Sequence, residues 1–254
     1  MAIARRSPKA HALTTEQLVI MMLSVLCGAA TQRITGLGFA LVSSPLLVLV
    51  LGPFQGVLLA NLLTLITNII VLASTWRDVE IRRVLLLAIP ALCAVPAGAW
   101  LSRELSASLL MIVIGFVVCA ALIAVLVVKD LRLFHGRIGA VFAGALSGFM
   151  NVTAGVGGPA ITLYALSTGW EFREFVASIQ VYFAIVNTGS IIAKGLPSLS
   201  SVQYVSAFAA LGVGVLIGQA LTRVVSAQQA RGAVIGLALC GSAATVVKGL
   251  LLAV

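Results

Sequence analysis

The 254-residue chain is 61% hydrophobic and 9% charged, with mean hydropathy +1.17 and a formal net charge of +9. A soluble domain has no use for that much apolar surface, so the bilayer is the solvent of this chain. Its Lys and Arg residues gather in short loops with no aromatic interleaving and no recognition motif, which excludes nucleic acid as a partner and fits the positive-inside rule.

Arg5, Arg6 and Lys9 precede an apolar run at 18–30, an order that imitates a signal peptide. The rest of the chain is equally apolar, so a retained first membrane segment is the simpler expectation. Apolar segments then fall at 17–32, 36–51, 54–75, 84–102, 107–128, 138–152, 155–168, 175–195, 202–222 and 232–252. All should be helices, because a chain in lipid must satisfy its own backbone, and the alternation of a membrane β-barrel is absent. At roughly 20 residues per span there is room for about eight crossings. The expected class is an all-α polytopic membrane protein with about eight transmembrane helices.

Residues 36–45 read Gly-Leu-Gly-Phe-Ala-Leu-Val-Ser-Ser-Pro, and residues 155–164 read Gly-Val-Gly-Gly-Pro-Ala-Ile-Thr-Leu-Tyr, an offset of 119. Asn68 and Asn187 share that offset. Gly98 and Gly218, Arg103 and Arg223, and Ser106 and Ser226 stand 120 apart, and Cys119 and Cys240 stand 121 apart. Slow drift of this kind marks a duplicated module. The sequence predicts two homologous membrane repeats, 1–130 and 131–254, each with a Gly-rich helix break.

Two topologies fit. In one, the short segments flanking each break form a single broken crossing, giving parallel halves. The N-terminal side then carries eleven of the Lys and Arg residues, Arg77 and Arg137 among them, against Arg103, Arg173, Arg223 and Arg231. In the other, each pair is a re-entrant hairpin or two crossings, the halves are inverted, and the split is nine against six. Charge bias favours the broken crossing with the N-terminus inside. Inverted repeats are nevertheless common among transporters.

Glu16, Asp78, Glu80, Glu104, Asp130, Glu171 and Glu174 all fall in loops or at segment ends, as do both histidines. Intramembrane carboxylates and imidazoles build cation sites and proton relays, so neither is expected here. The same absence removes the acid, base and ligand groups of an enzyme or a metal site, and no cofactor is implied. Four cysteines lie in apolar runs without Cys-x-x-Cys spacing, which argues against a disulfide framework. Arg33 is the one ionisable residue deep in a segment. It either faces a substrate anion or snorkels to the interface.

The breaks themselves suit anions. Helices restarting after Gly36–Gly38 and Gly155–Gly158 would present unpaired N–H groups and partial positive charge. Pro159 suits a first helical turn. Close packing through small residues, as in Gly144-x-x-x-Gly148 and Gly214-x-x-x-Gly218, is the competing reason for glycine. Neutral polar residues surround the breaks. Gln32 and Asn151 hold equivalent positions, Thr153 follows, and Asn61 and Asn68 share a helix face, as do Gln180 and Asn187. Such side chains either donate to an oxyanion or tie helices together.

The duplicated Gly-x-Gly breaks, above all Thr153-Ala154-Gly155-Val156-Gly157-Gly158-Pro159, and the polar helix after each, resemble the sulfite exporter TauE/SafE family across nearly the whole chain. That resemblance implies a multi-pass transporter of the bacterial inner membrane for sulfur-containing anions such as sulfite or organosulfonates. One departure is Phe39-Ala40 after Gly38, where the family often continues with glycine. The expectation is therefore a permease, not an enzyme, with a small anionic substrate and the lipid bilayer as partners. A homo-oligomer is compatible with it. The expected substrate-binding set is Arg33, Gly36, Gly38, Asn61, Asn68, Asn151, Thr153, Gly155, Gly157, Gly158, Pro159, Gln180 and Asn187. An anion channel is the first rival, and a membrane enzyme or a scaffold the second.

Overall fold

The computed structural model describes residues 13–36, 38–127, 132–225 and 227–253. These residues form ten α-helices: α1 Thr15–Thr35, α2 Gly38–Leu51, α3 Pro53–Thr75, α4 Ile81–Glu104, α5 Ala107–Val127, α6 Gly136–Ala154, α7 Gly158–Thr168, α8 Phe172–Lys194, α9 Ser201–Leu221 and α10 Ala227–Leu251. Seven stretches, from α1, α3, α4, α5, α8, α9 and α10, are long and apolar enough to cross a bilayer. The chain is a polytopic membrane protein.

Local chemistry sets the ends. Thr14 with Gln17, and Ser200 with Gln203, form capping boxes at the starts of α1 and α9. Pro53 opens α3 at a position where a missing N–H costs nothing. Gly36 and Gly155 close α1 and α6 in the left-handed conformation, at φ 77° and 73°. Their N–H groups bond Gln32 O at 2.8 Å and Asn151 O at 2.9 Å. Glycine enters that conformation freely, and it stops a helix.

After each stop the chain turns back. Ser167 at the end of α7 donates to Phe134 O just before α6, at 2.7 Å, and His135 Nδ1 lies 3.0 Å from Ser167 O. The α6–α7 pair is thus a helical hairpin with both outer ends on one side. The α1–α2 pair does the same from the opposite side. Ser43 of α2 donates to Ser24 O of α1 at 2.8 Å, and Leu49 O accepts from Lys248 near the end of α10 at 2.7 Å. The expected broken crossing with parallel halves is therefore corrected to the alternative in which α1–α2 and α6–α7 each turn back on themselves, with α1 running alongside α9 for most of its length.

Two ends of the bundle follow. The near end holds the start of α1, the α2–α3, α4–α5 and α8–α9 turns and the end of α10. The far end holds the α3–α4 and α7–α8 turns, where Arg173 pairs with Asp78 at 2.8 Å and Ser178 accepts from Glu80 N. Across the bundle α3 packs on α8, α5 on α10, α1 on α9 and α4 on α6. Shifting each helix by the sequence offset exchanges these pairings among themselves.

Glycines let the backbones touch. A Cβ at Gly214 of α9 would stand 2.6 Å from Leu26 O of α1, and one at Gly148 of α6 would collide with the backbone of Ala91 in α4. This is small-residue packing at the Gly-x-x-x-Gly pairs read from the sequence. Large apolar side chains such as Phe116, Ile138 and Ile192 point outward, as lipid-facing residues must.

Two predictions follow from this packing. Gly148→Ala overfills the α4–α6 contact and should cost about 1–3 kcal/mol. Gly212→Ala, with nothing within 4 Å of its Cβ position, should cost little. Thermal unfolding in detergent compares them, and equal melting temperatures would refute the packing account. Among described residues, Arg77, Arg82, Arg83, Arg137, Arg173 and Arg223 mark the far end, against Arg103, Lys194 and Lys248 at the near end. By the positive-inside rule the far end is expected to face the cytoplasm. A compartment-sensitive reporter after Val254 should read as external, and one in the loop at Asp130 as cytoplasmic. The reverse pattern would refute this orientation.

Candidate functional site

Both hairpin tips meet between α3 and α8, and buried amides hold them there. Gln32, at the end of α1, accepts from Phe39 N through Oε1 at 3.0 Å. A backbone N–H can only donate, so this bond fixes the amide, and Nε2 must be the donor. It donates to Asn68 Oδ1 of α3 at 3.3 Å and to Gln180 Oε1 of α8 at 3.4 Å. Gln180 in turn donates to Gly36 O at 3.2 Å. At the second tip Asn151 Nδ2 donates to Asn187 Oδ1 at 2.9 Å and lies 3.4 Å from Ser190 Oγ. Asn61 Nδ2 points at Asn151 O, at 3.4 Å. Ser44 donates to Ala154 O at 2.6 Å, and Ser147 to Gly157 O at 2.8 Å.

Each network spends the oxygen of one asparagine and leaves its nitrogen over. Asn68 Nδ2 and Asn187 Nδ2 are buried without a partner, and so is Asn61 Oδ1. Their side chains are at most 1% exposed. A buried unpaired amide costs about 1–3 kcal/mol, so such groups call for a ligand or water. A small cavity of about 20 Å³ lies here, lined by Gln32, Ala40, Leu41, Thr64, Asn68, Asn151, Val156, Gly157, Gly158 and Phe183. That volume suits a single water. The first turns of α2 and α7 both face it, adding unpaired N–H groups and the positive ends of two helix dipoles.

Leu41 and Gly158 also line a second cavity of about 540 Å³, which runs toward the far end past Pro159, Thr162, Trp170, Phe172 and Phe175. Its walls are mostly apolar. The near end is shut by contrast. α2 packs on α3 closely enough that a Cβ at Gly56 would stand 2.6 Å from Val48 N. Thr245 of α10 bonds Pro45 O at 3.3 Å. α7, which occupies the place of α2 at the other end, brings its backbone less close to α5 and α8 than α2 does to α10 and α3, while Ile161, Leu163 and Tyr164 still share a buried cluster with Phe175, Ile179 and Tyr182 of α8.

The structure lines the small cavity with Asn68, Asn151, Gly157 and Gly158, ties Asn61, Gln180 and Asn187 to its lining residues by hydrogen bonds, and puts Gly38 and Pro159 on the adjoining wider cavity. Gly36 and Gly155 shape the tips as helix terminators. Gly157 is also a packing glycine, since its Cβ position is 2.7 Å from Ser147 O and 3.1 Å from the Phe183 ring. Thr153 is not brought to the cavity: its hydroxyl bonds Phe149 O at 2.7 Å in its own helix. Arg33 is not brought there either, because its Nε donates to Gln219 of α9 at 2.6 Å on the outer side of α1. The sequence reading passed over Phe183, Ser190 and Lys194. Lys194 stands seven residues after Asn187, on the same helical face.

Among the described residues no cluster of His, Cys, Asp and Glu is arranged to hold a metal ion. No curated protein and no solved structure matches the chain. The profile of the family described as Sulfite exporter TauE/SafE matches residues 20–245, which takes in both hairpins, α3, α8 and nearly all of α10. The chain belongs to the sulfite exporter TauE/SafE family of membrane transporters.

Proposed function

We propose that the protein is a secondary transporter for a small sulfur-containing oxyanion, sulfite or an organosulfonate. It works between two inverted halves, 1–130 and 131–254. The observation that carries this reading is the pair of unpaired amide donors at the two tips: Asn68 Nδ2, whose side chain lines the small cavity, and Asn187 Nδ2, whose oxygen is held by the cavity-lining Asn151. Among the described residues the unpaired side-chain atoms of the tip amides are two donors, Asn68 Nδ2 and Asn187 Nδ2, and one acceptor, Asn61 Oδ1, a balance that suits an anion. Among the described residues no buried carboxylate competes for the donors.

A carrier also needs to open on one side at a time. The wide far-end cavity and the packed near end give such an arrangement. The small cavity must enlarge before an oxyanion fits, and the less closely packed α7 is the element free to move. A channel would need a continuous path, which the α2–α3–α10 packing interrupts.

A proteoliposome panel of sulfite, sulfate, sulfonates and carboxylates tests the reading. Uptake with counter-flow should appear for at least one sulfur oxyanion, and flux at channel rates would defeat the carrier mechanism. Hydrogen bonds to charged groups are worth about 1.5–3 kcal/mol, so Asn68→Ala and Asn187→Ala should each weaken anion binding about tenfold or more. Asn187→Asp, similar in shape but acidic, should abolish it. Anion-induced thermal stabilisation of the purified variants is the measurement, because a ligand that binds only folded protein must raise its stability. Wild-type stabilisation in all three would remove these residues from the site.

A further inference from the structure

Lys194, the last residue of α8, is 7% exposed. Its ammonium donates to Val152 O at 2.9 Å and lies 4.6 Å from the centre of the Phe54 ring. Among the described residues no carboxylate pairs with it: the ion pairs Glu80–Arg83 and Asp78–Arg173 lie at the far end. A buried cation without a counter-ion is expensive, and an ammonium has three donors, of which one is spent on Val152. Beside it Arg103 of α4 donates to Ala193 O at 2.5 Å, so a second cation converges on the same end of α8.

These charges lead inward. Lys194, Ser190 and Asn187 follow at spacings of four and three on one face of α8. Ser190 and Asn187 are both joined to Asn151. Lys194 and Asn187 are about 10 Å apart along the helix, too far for one small oxyanion to touch both. We propose that Lys194, with Arg103 beside it, forms a separate near-end anion station that passes the substrate along the α8 polar row to Asn187. The station rests on the anion-transport reading and deepens it. The residue at the equivalent position of the other half is Thr75, so the far end has no such cation at this position.

The competing role is structural. Val152 lies in the last turn of α6, where a lysine can cap an unpaired carbonyl. Glutamine separates the two roles, because its amide still caps but carries no charge. Wild type, Lys194→Gln, Lys194→Arg and Arg103→Gln are purified and reconstituted, with sulfite and toluenesulfonate as probes. Melting temperature, anion-induced stabilisation and the KM and kcat of uptake are read for each.

Lys194→Gln should melt close to wild type, while its half-saturating anion concentration and KM rise about tenfold or more. Lys194→Arg should stay within about threefold of wild type, because the charge survives. Arg103→Gln, an exposed change, should raise KM by about twofold to fivefold, with the effect fading at high salt. Unchanged KM and half-saturation in Lys194→Gln would overturn the station, whatever its melting temperature. If that variant does not fold, an unchanged KM in Arg103→Gln overturns it instead. A wild type that neither binds nor carries either anion would defeat the transport reading itself, a failure distinct from loss of the station alone.

Discussion

Two helices stop inside apolar protein, and the rest of the architecture answers that fact. Gly36 and Gly155 end α1 and α6 at depth, and each stop strands carbonyls on one side and N–H groups on the other. In a bilayer nothing outside the protein satisfies them, so irregular backbone survives only where side chains or a wet cavity meet it. Gln180 meets Gly36 O, Ser44 meets Ala154 O and Lys194 meets Val152 O. Of the N–H groups of the restarting helices, Phe39 N is met by Gln32 Oε1, and the first turns of α2 and α7 border the small cavity. Structural need and anion chemistry therefore coincide at one place.

The ties run crosswise. Asn61 of α3, in the first part of the chain, reaches the second tip at Asn151 O. Gln180 of α8, in the second part, reaches the first tip at Gly36 O. Each hairpin is thus tied to the other part of the chain as well as between its own arms. Moving one tip disturbs a bond made by the helix that follows the other, so the tips are mechanically linked through α3 and α8. A substrate amide contact at Asn68 or Asn187 acts on that linkage, because both asparagines already spend their oxygens on Gln32 and Asn151.

Much of this was legible in the sequence. Gly-rich breaks, the Asn and Gln positions and the packing glycines could all be read, because each leaves a local or periodic mark. Direction after the break was not legible. A left-handed glycine ends a helix but does not say where the chain goes next. Contacts such as Ser44 to Ala154 and Ser167 to Phe134, made by distant segments, decide that. Charge counting favoured the wrong topology because it compares totals only after sides have been assigned. Arg33 misled for a simpler reason: neighbouring helical residues point about 100° apart, so a Gln32 aimed inward turns Arg33 away. Lys194 was hidden by its place at a segment end.

The difference between α2 and α7 is the last physical clue. Their environments should match if both halves rested in one conformation, yet α2 is pressed between α3 and α10 while α7 borders open space. Under the transport reading proposed above, the two arrangements are the two states between which related segments exchange. Exchanging them would pack α7 more closely onto α5 and α8, closing the far end, and free α2, opening the near one. Lys194 and Arg103 already stand at the end that would then open. The cavity of about 20 Å³ at the tips lies between the two arrangements, where an oxyanion would have to widen it in passing. Differential contact with Asn68 and Asn187 in the two states is what would couple that passage to the exchange, since a ligand shifts an equilibrium only by binding its states unequally.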